Sequence, residues 1–176
     1  MKLNIREIEE VAKHLAYDEP TGAINQLLVH GEVCDYELPE APQVQVDYYR
    51  AGEEIFFRGH ISGSVVGHCA RCLEEYPFKL STDFSVVLVP KRSLPAEVEL
   101  TDQDLDLGYY EGDQIDLSPL VHEQIIVALP TRPLCRPECK GLCANCGADL
   151  NTEVCRCAAQ ANDSNLRILK NAKGGH

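Results

Sequence analysis

The clearest pattern in the chain is a regular alternation of apolar and polar positions between residues 55 and 88. From residue 55 to residue 67 every odd position is apolar or glycine, and the even positions include Arg58, His60 and Ser62. After a short interruption the alternation resumes over residues 78–88. Successive side chains of a β-strand point to opposite faces, so each run predicts a strand with one buried face. Two such strands with a short connection predict an antiparallel hairpin.

Glycines on the buried face of the first strand add to this prediction. Gly59, Gly63 and Gly67 all fall on the apolar side. Glycine inside a strand is typical of tight curvature or of close backbone packing. Together with a further alternating strand over residues 44–49, these glycines favour a barrel-like antiparallel sheet.

Three other segments carry weaker patterns. Ile5, Ile8 and Val11 have helical spacing and predict a short amphipathic helix within the first twenty residues, before a strand pattern at 27–32. Residues 90–104 predict an exposed acidic loop. Residues 106–117, "DLGYYEGDQIDL", predict a second small hairpin that turns at residues 111–113.

One helix is predicted with more support, over about residues 118–129. Ser118 is a suitable cap, Pro119 suits the first turn, and Pro130 ends the pattern. Its apolar stripe predicts packing against the sheet. The predicted fold class is therefore α+β, with a barrel-like sheet, one packed helix and a C-terminal zinc-ribbon-like module. The predicted divisions are a β-rich core domain (1–133), a cysteine-rich module (134–160) and a short basic tail (161–176).

The cysteines carry the candidate chemistry. Two lie in "HCARCLEEY" at the predicted hairpin tip, and six lie in "CRPECKGLCANCGADLNTEVCRC", which starts at residue 135. No run of about 20 apolar residues would span a bilayer, and no apolar signal segment begins the chain, so we expect a cytoplasmic protein without a membrane partner. Disulfides are rare in that compartment, and cysteine clusters there favour metal binding. The ninth cysteine, Cys34, is expected to be a small buried apolar residue.

Eight thiols divide naturally into two sites of four. In the first allocation, one site takes Cys69, Cys72, Cys135 and Cys139, and the other takes Cys143, Cys146, Cys155 and Cys157. A rival allocation joins the four cysteines from 135 to 146 and gives the last pair to the hairpin tip. We favour the first because its second site is local and needs little loop closure. Gly147, after the second cysteine of a Cys-x-x-Cys pair, suits the turn of a zinc knuckle.

Zinc, with two ions per chain, is the expected metal, although an iron–sulfur cluster also uses four thiolates. A four-thiolate zinc site has no open coordination position, so it predicts a structural role and no catalytic residues. A Cys-x-x-Cys pair can also act in redox chemistry, but Cys69 and Cys72 lie between strands, away from the helix start that such a motif needs.

Charge limits the contacts that this chain can make. The net charge is −12, and it is uneven: residues 1–131 hold 9 Lys and Arg against 24 Asp and Glu, whereas residues 132–176 hold 7 against 4. The acidic body would repel a phosphate backbone, so contact with RNA would be local. The candidate contact residues lie in the cysteine-rich part: Arg132, Arg136, Lys140 and Arg156. They could instead offset thiolate charge.

Three segments together resemble the YceD family of large ribosomal RNA subunit accumulation proteins. They are "GHCARCLEEY", "IDLSPLVHEQIIVALP" and "LCRPECKGLCANCGADLN" with the final "CRC", in this order. The resemblance implies a non-enzymatic role in 23S ribosomal RNA accumulation during large-subunit assembly. The implied partners are pre-ribosomal RNA or a large-subunit ribosomal protein, with no small-molecule substrate. Two alternatives stay open: an RNA-processing enzyme that uses the acidic run at residues 102–106, and a thiol- or metal-responsive regulator.

Overall fold

In a computed structural model, the fold is described over residues 1–30, 33–91, 107–155 and 157, and for His30, Val33 and Cys34 only as backbone. It consists of one six-stranded sheet, two two-stranded pairs, a short 3₁₀ turn and two α-helices. The strands are β1 (Lys2–Asn4), β2 (Lys13–Asp18), β3 (Val29–His30), β4 (Val33–Cys34), β5 (Tyr36–Glu37), β6 (Gln43–Ala51), β7 (Glu54–His68), β8 (Glu75–Pro90), β9 (Leu107–Tyr110) and β10 (Gln114–Asp116). The helices are α1 (Thr21–Leu28) and α2 (Ser118–Ala128).

The predicted long hairpin is the centre of the main sheet. Strands β7 and β8 pair antiparallel over their whole length, from Ile55 opposite Leu88 to His68 opposite Glu75. The strand order is β2-β6-β7-β8-β9, and β5 pairs with the end of β7 beside the hairpin tip. Strand β9 runs parallel to β8, so the sheet is mainly but not entirely antiparallel.

One face of this sheet forms the core with the helices. The odd positions of β7 and the even positions of β6 and β8 are apolar or glycine, apart from Arg50 and Thr82, and the apolar side chains face inward, as the alternation predicts. Helix α2 packs on β8 through Val121 and Ile125, and α1 packs near β5 through Ile24 and Leu28. A buried pair also joins α2 to the end of β2, since His122 Nε2 lies 3.0 Å from Glu19 Oε1.

The expectation of a barrel is wrong. Among the described strands, β2 and β9 lie at opposite ends of the order and do not pair with each other, so the sheet is open. The inward-facing glycines make room for side chains. A Cβ at Gly59 would lie 2.6 Å from the Phe84 ring, and one at Gly67 would lie 3.0 Å from the Tyr76 ring. Close packing, and not closure, accounts for these two glycines.

Two other expectations are wrong in detail. The N-terminal residues form β1, a 3₁₀ turn and β2, and the additional helix, α1, begins only at Thr21. Residues 107–116 do turn at Gly112, which has a φ of +75°, but the two strands do not pair with each other. Strand β9 pairs with β8, and β10 pairs with β1. Pairing with β8 and β1, which are distant in sequence, replaces the local hairpin.

Several expectations lie outside the described residues: most of the acidic loop, the aspartates between 102 and 106, Arg156, the basic tail and the side chain of Cys34. Of the helices in the described part of the chain, none is long and apolar enough to cross a membrane.

Candidate metal centres

The first group of thiols, here called the inner centre, lies at the tip of the β7–β8 hairpin. It contains Cys69 and Cys72 from the tip, with Cys135 and Cys139 from the segment after α2. Sulfur–sulfur distances are 3.8 Å for Cys69–Cys139 and 3.7 Å for Cys72–Cys135. Three of the four residues are buried, and Cys135 is half-buried.

The fold delivers the second pair of cysteines to this tip. Tyr36, on the short strand that pairs beside the tip, donates its hydroxyl to the Pro130 carbonyl at 2.6 Å and fixes the end of α2. The chain then passes along the tip, where the Ala70 amide donates to the Pro133 carbonyl at 2.8 Å. Cys135 follows two residues later. The inner centre is thus built where the sheet, α2 and the cysteine-rich segment meet.

The second group, here called the outer centre, is local and more exposed. It contains Cys143, Cys146, Cys155 and Cys157. Sulfur–sulfur distances are 3.2 Å for Cys143–Cys155 and 3.7 Å for Cys146–Cys155. Cys146 is exposed and the other three residues are half-buried. The two groups correspond to the first allocation from the sequence; the rival allocation is not the one that the fold brings together.

The two Cys-x-x-Cys turns share one backbone geometry. The Leu73 amide donates to the Cys69 carbonyl at 2.8 Å, and the Gly147 amide donates to the Cys143 carbonyl at 2.9 Å. The residue after the second cysteine is left-handed in both turns, with φ of +62° at Leu73 and +73° at Gly147. The outer turn uses glycine at this position, as the sequence suggested, whereas the inner turn holds a leucine in a conformation that disfavours side chains.

Arg71, between the two hairpin cysteines, fastens the cysteine-rich segment to the tip. Its guanidinium donates to the carbonyls of Pro137 at 3.2 Å and Cys139 at 2.7 Å. Its own carbonyl accepts the Leu142 amide at 2.9 Å. Gly141 passes so close that a Cβ there would lie 2.8 Å from the Arg71 carbonyl oxygen. Sequence reasoning missed Arg71; its place between two ligands was the available signal.

Ionisation of the sulfurs is uneven within each centre. Burial raises the pKa of Cys69, but backbone N–H groups directed at its sulfur outweigh this and lower the pKa to about 6. Burial, with hydrogen bonds from neighbouring thiols, raises the pKa of Cys135 to about 12. In the outer centre, backbone N–H groups lower the pKa of Cys143 to about 6, and the sulfurs of Cys146 and then Cys155 raise that of Cys157 to about 12. A divalent cation would offset the repulsion between neighbouring thiolates and let all four sulfurs of a centre ligate in the deprotonated form.

The donor sets fit a tetrahedral dication. A Zn–S bond of about 2.3 Å places tetrahedral sulfurs about 3.8 Å apart. Three of the four distances given above lie within 0.1 Å of this value, and in each group all four sulfurs lie within 4.8 Å of one another. Each centre could therefore hold a metal ion, and four sulfur donors are compatible with zinc.

The candidate contact residues lie beside these centres. Arg132, Arg136 and Lys140 are exposed. Within the described part of the chain, none of their side chains forms a salt bridge or a hydrogen bond, although Arg136 is close enough to Asp149 to help lower the pKa of that carboxyl. The fourth candidate, Arg156, lies outside the described residues. Among the described residues, these three cationic groups are therefore unpaired.

The fold and the two sulfur clusters define a class: a protein built on one six-stranded sheet and two short strand pairs, whose C-terminal segment brings two cysteines to the pair at the hairpin tip and carries four more. The comparisons then identify the family. The family described as "Large ribosomal RNA subunit accumulation protein YceD" matches residues 57–173. This chain belongs to the YceD family, and the resemblance stated above is confirmed. The match includes both groups of cysteines.

Several relatives extend this picture. An uncharacterized protein of Mycobacterium tuberculosis is 32% identical over 101 residues, which cover 57% of this chain and 47% of that protein. The chloroplastic YCED homolog 1 of Arabidopsis thaliana, named a large ribosomal RNA subunit accumulation protein, is 24% identical over 84% of this chain and 53% of its own length. The uncharacterized protein YlbN of Bacillus subtilis is 25% identical over 78% of this chain and 76% of its own length. The chain spans about half the length of the mycobacterial and plant relatives. No solved structure matches it.

Proposed function

We propose that this protein is a non-catalytic factor of large-subunit ribosome assembly in the cytoplasm, needed for 23S ribosomal RNA to accumulate. Membership of the YceD family, whose name refers to accumulation of the large ribosomal RNA subunit, carries the proposal. The chloroplastic relative from Arabidopsis thaliana carries the same description.

Two structural zinc ions are part of this proposal. All eight proposed ligands lie in two clusters whose spacing suits tetrahedral zinc. Four thiolates fill the coordination sphere, so such an ion stabilises the fold and leaves no position for a substrate. In a segment with few buried apolar side chains, metal binding would supply much of the folding free energy. Both ions would therefore have a structural role and not an enzymatic one.

Contact with pre-ribosomal RNA is assigned to Arg132, Arg136 and Lys140, and to Arg156, which lies between Cys155 and Cys157 in sequence. The first three are exposed, and their side chains form no salt bridge with another described residue. The acidic body would face away from RNA, or toward a basic ribosomal protein. Zinc would thereby hold a small cationic surface at one end of an acidic protein.

Depletion of the protein tests the proposal. We expect fewer mature large subunits and less 23S ribosomal RNA in a sedimentation profile, with recovery on expression of the wild-type chain. A variant with Cys69→Ser and Cys72→Ser should fail to restore the profile. Normal levels of large subunits after depletion would refute the proposed role.

The RNA contact needs a separate measurement. We expect the triple change Arg132→Ala, Arg136→Ala and Lys140→Ala to weaken binding to 23S RNA fragments and to reduce the salt dependence of that binding. The matched control is Arg58→Ala, an exposed arginine on the outer face of the sheet. Equal binding by both variants would exclude these three residues as the RNA contact.

The regulatory alternative finds less support. A thiol switch at Cys69 and Cys72 would need accessible sulfur atoms, but both residues are buried.

A further inference from the structure

Asn151 belongs to the loop of the outer centre but contacts the inner centre. It lies in the chain between two ligands of the outer centre, Cys146 and Cys155. Its side-chain nitrogen Nδ2 nevertheless lies 3.5 Å from the sulfur of Cys139, an inner-centre ligand. This is the distance of an N–H···S hydrogen bond, and the amide is half-buried.

The rest of the amide group is held in a way that fixes this orientation. Asn151 Oδ1 accepts the backbone amide of Lys140 at 2.8 Å, next to Cys139 in the chain. Asn151 Nδ2 also donates to Asp149 Oδ1 at 2.6 Å, and the Asn151 backbone amide donates to the same oxygen at 3.0 Å. Oδ1 faces a donor and Nδ2 faces a carboxylate, so only the nitrogen can point at the sulfur. The arrangement leaves one amide hydrogen for Asp149 and one for Cys139.

A hydrogen bond to a ligating sulfur affects the metal. Groups that bond to a ligand orient it and adjust its charge, and their loss typically weakens metal binding by about 10–100-fold. The position of Asn151 depends in turn on the loop that the outer centre closes. The Leu150 amide donates to the Gly141 carbonyl at 2.9 Å, and Leu142 bridges to Asp149 in antiparallel fashion. Filling the outer centre would therefore hold the amide against the inner sulfur.

We infer that Asn151 is a positioning residue for the inner centre, and that through its bond to Cys139 the two centres bind metal cooperatively. This inference rests on the proposed metal centres and goes beyond them, because two independent structural ions would need no such link. Coupling of this kind is reciprocal, so metal in either centre strengthens binding in the other.

Competition between the protein and a zinc chelator, followed as stepwise release of two ions, tests the inference. Asn151→Ala is compared with Asn145→Ala, which removes an exposed asparagine side chain from the Cys143–Cys146 turn of the outer centre. We expect Asn151→Ala to weaken zinc binding at the inner centre by about 10-fold, and Asn145→Ala to change it by less than about 2-fold.

A spectroscopic measurement separates positioning from a general loss of structure. In the cobalt-loaded protein, loss of the N–H···S bond makes the Cys139 sulfur a stronger electron donor. The sulfur-to-cobalt charge-transfer band of the inner centre should then move to lower energy in Asn151→Ala and stay in place in Asn145→Ala. An unchanged band in both variants would overturn the assigned role.

Removing a ligand of the outer centre tests the coupling itself. Cys155→Ala weakens the outer centre without touching Asn151, and we expect it to lower inner-centre affinity for zinc by a similar factor. Combining it with Asn151→Ala should then cause little further loss, because both changes break one link. Fully additive losses, or equal inner-centre affinity in the Asn151 and Asn145 variants, would overturn this inference alone. A wild-type chain without bound metal would overturn the zinc proposal and the inference with it.

Discussion

Replacing Gly141 with alanine tests whether the cysteine-rich segment is held on the hairpin tip by the close approach described above. Gly141 has a φ of +75°, and an added Cβ would lie 2.8 Å from the Arg71 carbonyl oxygen and 3.1 Å from the Arg71 Cβ. The left-handed conformation disfavours alanine by about 1–2 kcal/mol. Alanine also restricts the unfolded chain, which offsets about 0.4–1 kcal/mol of this cost. Forcing an extra methyl group into a packed site adds about 1–3 kcal/mol. We therefore expect the free energy needed to open the hydrogen bond from the Leu142 amide to the Arg71 carbonyl to fall by about 3 kcal/mol in Gly141→Ala.

Gly147→Ala is the matched control, because Gly147 also has a left-handed φ, +73°, but its added Cβ would meet nothing within 4 Å. We expect a loss of only about 1 kcal/mol there. The assay is native-state hydrogen exchange at the Leu142 amide, which donates to the Arg71 carbonyl at 2.9 Å. Equal losses of opening free energy in the two variants would refute this prediction. They would show that the backbone conformation alone accounts for the loss and that the close contact with Arg71 does not contribute.

Three further predictions concern the same end of the molecule. Arg71→Ala removes two hydrogen bonds from a cationic donor to backbone carbonyls, and we expect urea unfolding to show a free energy of unfolding lower by about 2 kcal/mol. The control, Arg58→Ala, removes an exposed arginine without a partner among the described residues and should change that free energy by less than about 0.5 kcal/mol. Similar losses in both variants would show that the Arg71 hydrogen bonds do not stabilise the fold. Leu73→Gly should raise the free energy of unfolding by about 0.5 kcal/mol, because it relieves a φ of +62° at a side chain that is 68% exposed. A clear decrease would show that packing of the Leu73 side chain stabilises the fold by more than its backbone strain costs. Protons compete with metal for thiolates, so acidification should release metal, first from the more exposed outer centre. Thiol alkylation followed by mass spectrometry as the pH is lowered should show the outer cysteines modified before the inner ones. The reverse order would contradict the expectation that burial protects the inner centre.

The sequence was most informative where one physical rule dominated. Period-two alternation over 55–88 specified the long hairpin, because an inward-facing polar residue would lose its hydrogen bonds on burial. The Ser118–Pro119 pair placed the start of α2 to within one residue, but the expectation that Ser118 caps the helix is wrong, because Leu117 is the N-cap and Ser118 is the first helical residue. The cysteine grouping was also predictable, since a local set of four closes with less loss of chain entropy than a distant one.

The remaining features depend on partners that are distant in sequence. Strands β9 and β10 pair with β8 and β1, and nothing local distinguishes this from a hairpin around Gly112. Gly59 suggested curvature, whereas it accommodates the Phe84 ring from the neighbouring strand. Arg71 and Asn151 act through contacts that form only once the C-terminal segment folds back on the tip, so their identity alone could not reveal them.

Metal content of the purified protein tests the central claim most directly. Elemental analysis of freshly prepared, folded protein should find two zinc ions per chain, and both should remain bound after dialysis without chelator. A fully folded chain with no zinc or other metal would contradict the account, because the hydrogen bonds to the hairpin tip would then be enough to hold the C-terminal segment without bound ions.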